Sequence, residues 1–177
     1  MTIQVKSPNS TFIHIPKNAG TSISHWLIAY KKATWSYKNH YGGKHFTLEK
    51  IKRVDQNDLG FTFMCVRNPW ERMVSGYFYY QKQRKFHNRT FKEFIHQSNW
   101  HTLNTMQCDY GPVDCILRFE NLEKDFKQIQ DFYGVYSPLT KENRSKHSAY
   151  RQYYDTELRE IVAERCKRDI ETFGYEF

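Results

Sequence analysis

Residues 12–24 read Phe-Ile-His-Ile-Pro-Lys-Asn-Ala-Gly-Thr-Ser-Ile-Ser, a short β-rich run from Phe12 to Ile15 that meets a breaker at Pro16. A basic side chain, Lys17, and Gly20 follow, then two hydroxyls, Thr21 and Ser22, at the head of an amphipathic segment. A strand–loop–helix junction of this kind aims several backbone N–H groups and the positive end of a helix dipole at one point, where phosphate-like anions bind. No Gly-Lys-Ser/Thr follows a glycine at the spacing of a Walker A loop. Lys17 precedes the glycine and so approaches an anion from the strand side. The plainer alternative is an ordinary strand-to-helix turn with a surface lysine.

A second stretch, residues 61–80, repeats the design: Phe-Thr-Phe-Met-Cys-Val-Arg-Asn-Pro-Trp-Glu-Arg-Met-Val-Ser-Gly-Tyr-Phe-Tyr-Tyr. An apolar run from Phe61 to Val66 is closed by Arg67, and a helical pattern begins at Pro69. Ser75 lies about two helical turns beyond Arg67. The planar fork of Arg67 suits a phosphate, and the Ser75 hydroxyl can donate to another of its oxygens.

Together, in this order, the two stretches resemble the phosphate motifs of sulfotransferases that use 3′-phosphoadenosine 5′-phosphosulfate (PAPS). The first is similar to their 5′-phosphosulfate loop and carries it on Lys17, Asn18, Ala19, Gly20, Thr21 and Ser22. Ala19 stands where many relatives have glycine, a difference that matters only where that residue needs positive φ. Arg-Asn-Pro-x-x-Arg-x-x-Ser-x-Tyr, over 67–77, is similar to their 3′-phosphate motif, with Arg67 and Ser75 as the ligands. Ile116 to Leu122 looks like the family's third core strand running into a helix. Phe173-Gly174-Tyr175-Glu176-Phe177 resembles the ending of the carbohydrate-type branch, which includes small soluble bacterial and viral members. The resemblance implies PAPS as co-substrate and a hydroxyl-bearing acceptor, a glycan; a sulfuryl group carries less charge than a phosphoryl group, so no metal is expected.

Element order points the same way. Ile23, Trp26, Leu27 and Tyr30 share one helical face over 21–32, residues 34–44 read as a loop, and a short helix follows across Phe46 to Val54. Further helices are predicted over Pro69 to Gln83 and Phe91 to His96, with 98–112 irregular. Leu122, Phe126, Ile129 and Tyr133 form a stripe that stops at Gly134. The last helix carries Leu158, Ile161, Val162, Cys166 and Ile170, is capped by Asp155, and ends at Gly174. Strands alternating with helices predict an α/β, three-layer, P-loop-like fold, its central parallel sheet covered by helices on both faces. At 177 residues the expectation is one domain, 1–177. In such sheets ligands bind beyond the carboxyl ends of the strands, where both motifs fall.

The formal net charge of +8 indicates anionic partners. Lys and Arg are spread along the chain with no recognition motif beside them, so a nucleotide and not nucleic acid is expected. The four cysteines, at 65, 108, 115 and 166, form no Cys-x-x-Cys pair and no zinc spacing. There is no apolar signal region and no run of membrane-spanning length, which predicts a soluble, cytoplasmic protein.

Sulfuryl transfer needs positioning and charge stabilisation more than covalent help, by analogy with phosphoryl transfer. Lys17, assisted by N–H groups around Gly20 and Thr21, is the candidate to stabilise the leaving oxygen. For the general base a histidine near neutral pKa is the usual choice. His45 stands where carbohydrate-branch relatives place their catalytic histidine; His40 and Glu49 are the alternatives. In relatives, the loop holding Arg144 and Lys146 closes over the nucleotide. Trp100, His101 and Gln107 are expected to line the acceptor or adenine side. Two rival functions stay open at this level: a P-loop-like nucleotide kinase, and a non-catalytic nucleotide- or polyanion-binding module.

Overall fold

The computed structural model describes residues 2–31, 34–35, 45–54, 58–83, 89–97, 99–100, 103–140 and 148–177, with backbone alone at 34–35 and 54. His40, His101, Arg144 and Lys146 lie outside the described residues. The chain divides into two compact units, Met1–Val66 with Asp109–Asn143, and Arg67–Cys108 with Arg144–Phe177.

The first unit is an α/β layer structure built on a mixed, mostly parallel sheet. Its strands are β1 (Ile3–Lys6), β2 (Asn9–Ile13), β3 (Thr34–Trp35), β4 (Phe61–Val66) and β5 (Cys115–Arg118), in the spatial order β3-β1-β2-β4-β5. β2, β4 and β5 pair in parallel, as their alternation with helices demands, while β1 pairs antiparallel with both β2 and β3. The expected parallel sheet is therefore extended by a hairpin partner. Ile3 and Val5 alternate with Gln4 and Lys6, a period of two that buries the apolar pair. Thr34 and Trp35, expected within a loop, instead form the short edge strand β3 on β1.

Strand register sorts the side chains. Ile3 and Val5, Phe12, Phe63 and Cys65, and Leu117 all fall on one face and form a single core. Two helices cover it: α1 (Gly20–Lys31) with Ile23, Trp26 and Leu27, and α6 (Lys127–Tyr133) with Ile129 and Tyr133. Phe126, between α5 (Leu122–Asp125) and α6, joins them. Tyr30, expected on the buried face of α1, is 48% exposed; its ring leans on Trp26 from outside. Trp26 donates its indole N–H to Ser137 O at 2.8 Å. The Tyr133 hydroxyl meets Ser10 Oγ at 2.7 Å, and burial pushes this phenol up to about 12. Gly134 ends α6 at φ 64°, the left-handed terminator that the sequence pattern predicts. α2 (Leu48–Val54) completes this unit.

The second unit is helical. α3 (Pro69–Lys82), α4 (Phe91–His96) and α7 (Thr156–Arg165) pack around Trp70, Met73, Val74, Phe94, Leu158 and Val162. Each of these helices starts on a side-chain cap. Asn68 accepts from Trp70 N and Glu71 N, Thr90 and Glu93 form a capping box, and Asp155 accepts from Leu158 N at 2.8 Å. The single last helix expected from the sequence is divided at Cys166 into α7 and α8 (Lys167–Phe173). Cys166 is a buried free thiol pushed up to about 12 by desolvation, and is inert. Among the described residues no helix is long and apolar enough to cross a membrane.

Candidate active site

The loop from 14 to 22 leaves β2 and enters α1. Its turn is tight: Lys17 has φ 69° and Ala19 has φ 56°, both in the left-handed region that non-glycine residues seldom occupy. Ala19 thus needs positive φ, and its methyl group makes the conformation more costly than a glycine would. Asn18, between them, is buried and donates through Nδ2 to Cys65 O at 2.8 Å, which ties the loop to the neighbouring strand β4. Ala19 O accepts the first bond of α1, from Ile23 N at 3.2 Å. Gly20 has a different requirement, close approach: a Cβ there would stand 2.0 Å from the His14 imidazole. Ser22 is buried, while Lys17 and Thr21 are half-buried. No acidic residue occupies the first turn of α1, so the helix terminus keeps its positive character for an outside anion.

His45 lies just before α2. Its Nδ1 stands 2.9 Å from His14 O. A carbonyl only accepts, so Nδ1 carries the proton and Nε2 is the basic nitrogen of the neutral ring. The two imidazoles meet edge to face at 4.8 Å and 87°. Glu49, the reserve base, pairs with Arg53 at 2.5 Å on the exposed side of α2.

In the helical unit, Arg67 immediately follows Val66. Its backbone is held at both ends by one side chain: Gln107 Oε1 accepts from Arg67 N at 2.8 Å, and Gln107 Nε2 donates to Arg67 O at 2.8 Å. The buried guanidinium pairs through Nη2 with Glu71 at 3.0 Å, one helical turn on. Asn68 caps α3, and its amide also donates to Glu176 O at 2.8 Å. Pro69 occupies the helix start, where its missing N–H costs no bond. Arg72 points inward and donates to Thr105 O at 3.4 Å, and Ser75 is buried two turns along.

Two expectations are corrected here. Trp100 is a core residue; its indole N–H bonds to Ile95 O at 3.2 Å, and the Arg165 guanidinium lies over its ring at 4.6 Å. Gln107, fully buried, braces Arg67 and presents no surface to a ligand. Nothing local in the sequence marks this glutamine, because its partner is 40 residues away. The Arg67–Glu71 pair, by contrast, is visible as an i,i+4 spacing.

A family model described as the sulfotransferase family matches residues 5–176. A protein of Archaeoglobus fulgidus, itself described as uncharacterized, is 34% identical over 110 residues, spanning 57% of this chain and 81% of the relative. No solved structure matches. With the family match running nearly end to end, the chain belongs to the sulfotransferase family, whose members are PAPS-dependent transferases.

Proposed function

We propose that the protein moves a sulfuryl group from PAPS to a hydroxyl of a carbohydrate acceptor by in-line displacement. The observation that carries this reading is the backbone of the 17–20 turn. Left-handed residues in a tight turn bring successive N–H groups round to one side, as in anion-binding nests, and here they stand directly before an acid-free helix terminus. Such a loop fits the phosphosulfate end of the donor. Lys17, Asn18, Ala19, Gly20, Thr21 and Ser22 would hold it, and PAPS supplies the activated sulfuryl group when bound. Arg67 and Ser75 would take the 3′-phosphate. Arg144 and Lys146 are assigned to the nucleotide on the family resemblance.

In the reaction, the acceptor oxygen forms its bond to sulfur as the bond from sulfur to the 5′-phosphate oxygen breaks. Lys17 carries the compensating positive charge for that leaving oxygen. His45 Nε2 takes the hydroxyl proton; the carbonyl of His14 supports this role by holding the ring in the required tautomer. The carbohydrate acceptor, the cytoplasmic location and the organisation of 1–177 as one sulfotransferase domain are parts of the same proposal. Four free thiols are in keeping with a reducing compartment.

The test is a pair of measurements. Calorimetry is expected to show binding of adenosine 3′,5′-bisphosphate and little binding of ATP with magnesium. Incubation with labelled PAPS and a panel of glycans is expected to label a glycan. Preference for ATP would support a kinase, and tight bisphosphate binding with no transfer would support a non-catalytic module.

A further inference from the structure

We propose that Gln107 is a positioning residue for the 3′-phosphate half of the nucleotide site, acting through the backbone of Arg67; this rests on the reading of Arg67 given above. A primary amide that bonds both the N–H and the C=O of one residue fixes the two peptide units flanking that residue, as a strand neighbour would. Arg67 needs such a clamp. It sits at the change from extended backbone to the Asn68 cap of α3, between Val66, the last residue of β4, and the helix start at Pro69. The aim of its guanidinium depends on where that backbone is held.

The segment that carries Gln107 is itself fixed along α3. Leu103 packs where a side chain on Gly76 would stand, since a Cβ there would meet Leu103 Cδ1 at 2.3 Å. Thr105 O accepts from Arg72. Cys108 N, next to Gln107, donates to the buried carboxylate of Asp169 at 2.9 Å. Residues 103–108 therefore form a strap that touches Arg67, just before the helix, and α3 itself at Arg72 and Gly76, alongside the stretch that contains Ser75. The Gln107 amide that grips Arg67 is fully buried, so water cannot replace either bond when the amide is removed.

Gln107→Met keeps the volume and removes both bonds. Titration with adenosine 3′,5′-bisphosphate and with adenosine 5′-monophosphate separates a positioning role from a structural one. The preference for the bisphosphate is expected to fall about tenfold, with monophosphate affinity unchanged. Adding Gln107→Met to Arg67→Ala is expected to lower the preference no further than Arg67→Ala alone. Parallel weakening of both nucleotides, or a fall in melting temperature with the preference intact, overturns the proposal. Should Arg67→Ala alone weaken both nucleotides equally, the assignment of Arg67 to the 3′-phosphate fails first, a distinct result. If Gln107→Met does not fold, amide exchange on the unaltered protein decides. The bisphosphate is expected to slow exchange at the Arg67 amide more than the monophosphate does, and equal slowing overturns the proposal.

Discussion

The His14 imidazole occupies the space in which a side chain on Gly20 would stand, with Nε2 at 2.0 Å from the place of a Cβ. The same residue offers its carbonyl to His45. One position thus presses on the start of α1 with its ring and orients the candidate base with its backbone. Glycine at 20 is required by this contact and not by its φ, whereas the neighbour that does need positive φ is an alanine.

Adjacent substitutions in this loop should therefore have opposite signs. Ala19→Gly relieves a left-handed alanine and is expected to raise stability by about 1 kcal/mol. Gly20→Ala drives a methyl into the His14 ring and is expected to cost about 1–3 kcal/mol. Urea unfolding of the two variants measures both, and a shift in the same direction for the pair would contradict this account of the turn.

Lys17 is expected to act on the transition state more than on the bound nucleotide. Lys17→Ala should lower turnover by about 10²–10³, as removal of an oxyanion-type donor does, with a smaller change in bisphosphate affinity. Single-turnover rates at saturating PAPS make the distinction. Loss of affinity with full turnover at saturation would remove Lys17 from the leaving-group role.

Acid should loosen the pairing of β4 with β5 at one identifiable place. Asp114 Oδ2 accepts from Thr62 N and Thr62 Oγ1, each at 2.7 Å, and these bonds hold its carboxyl below the ordinary range. A depressed folded pKa means that the stabilisation is present above the ordinary aspartate value near ~4 and is lost as pH falls through the folded value. The stability difference between the unaltered protein and Asp114→Asn is expected to be constant near neutrality and to shrink below about pH 4. A difference that does not change with pH would mean that the carboxylate charge contributes nothing there.

Legibility from sequence followed the range of the interactions. Helix starts at Pro69 and Thr156 and the left-handed ends at Gly134 and Gly174 depend on neighbours within a turn, and their residue types announce them. The Lys17 and Arg67 junctions were legible for the same reason. β1 was harder, because four alternating residues gain meaning only from the partner strands that bury Ile3 and Val5. The bracing role of Gln107 was not legible; a buried amide forty residues from the backbone it holds leaves no periodicity. The tautomer of His45 belongs to the same class, since it is set by a carbonyl 31 positions earlier.

That tautomer leads to the most demanding prediction. With Nδ1–H directed at His14 O, the neutral imidazole presents Nε2 as its acceptor, the state a general base requires. His45→Ala is expected to lower turnover by about 10²–10⁴ while bisphosphate binding stays nearly intact, because a base touches the acceptor and not the nucleotide. The pH–rate profile should lose its acidic limb in that variant, since protonation of Nε2 is what that limb reports. His40→Ala and Glu49→Gln serve as parallel tests, and Glu49, engaged with Arg53 on the exposed side of α2, is expected to show little effect. If His45→Ala keeps both full turnover and the acidic limb, the base is whichever of the other two residues abolishes them, and the bond to His14 serves only to pack the ring.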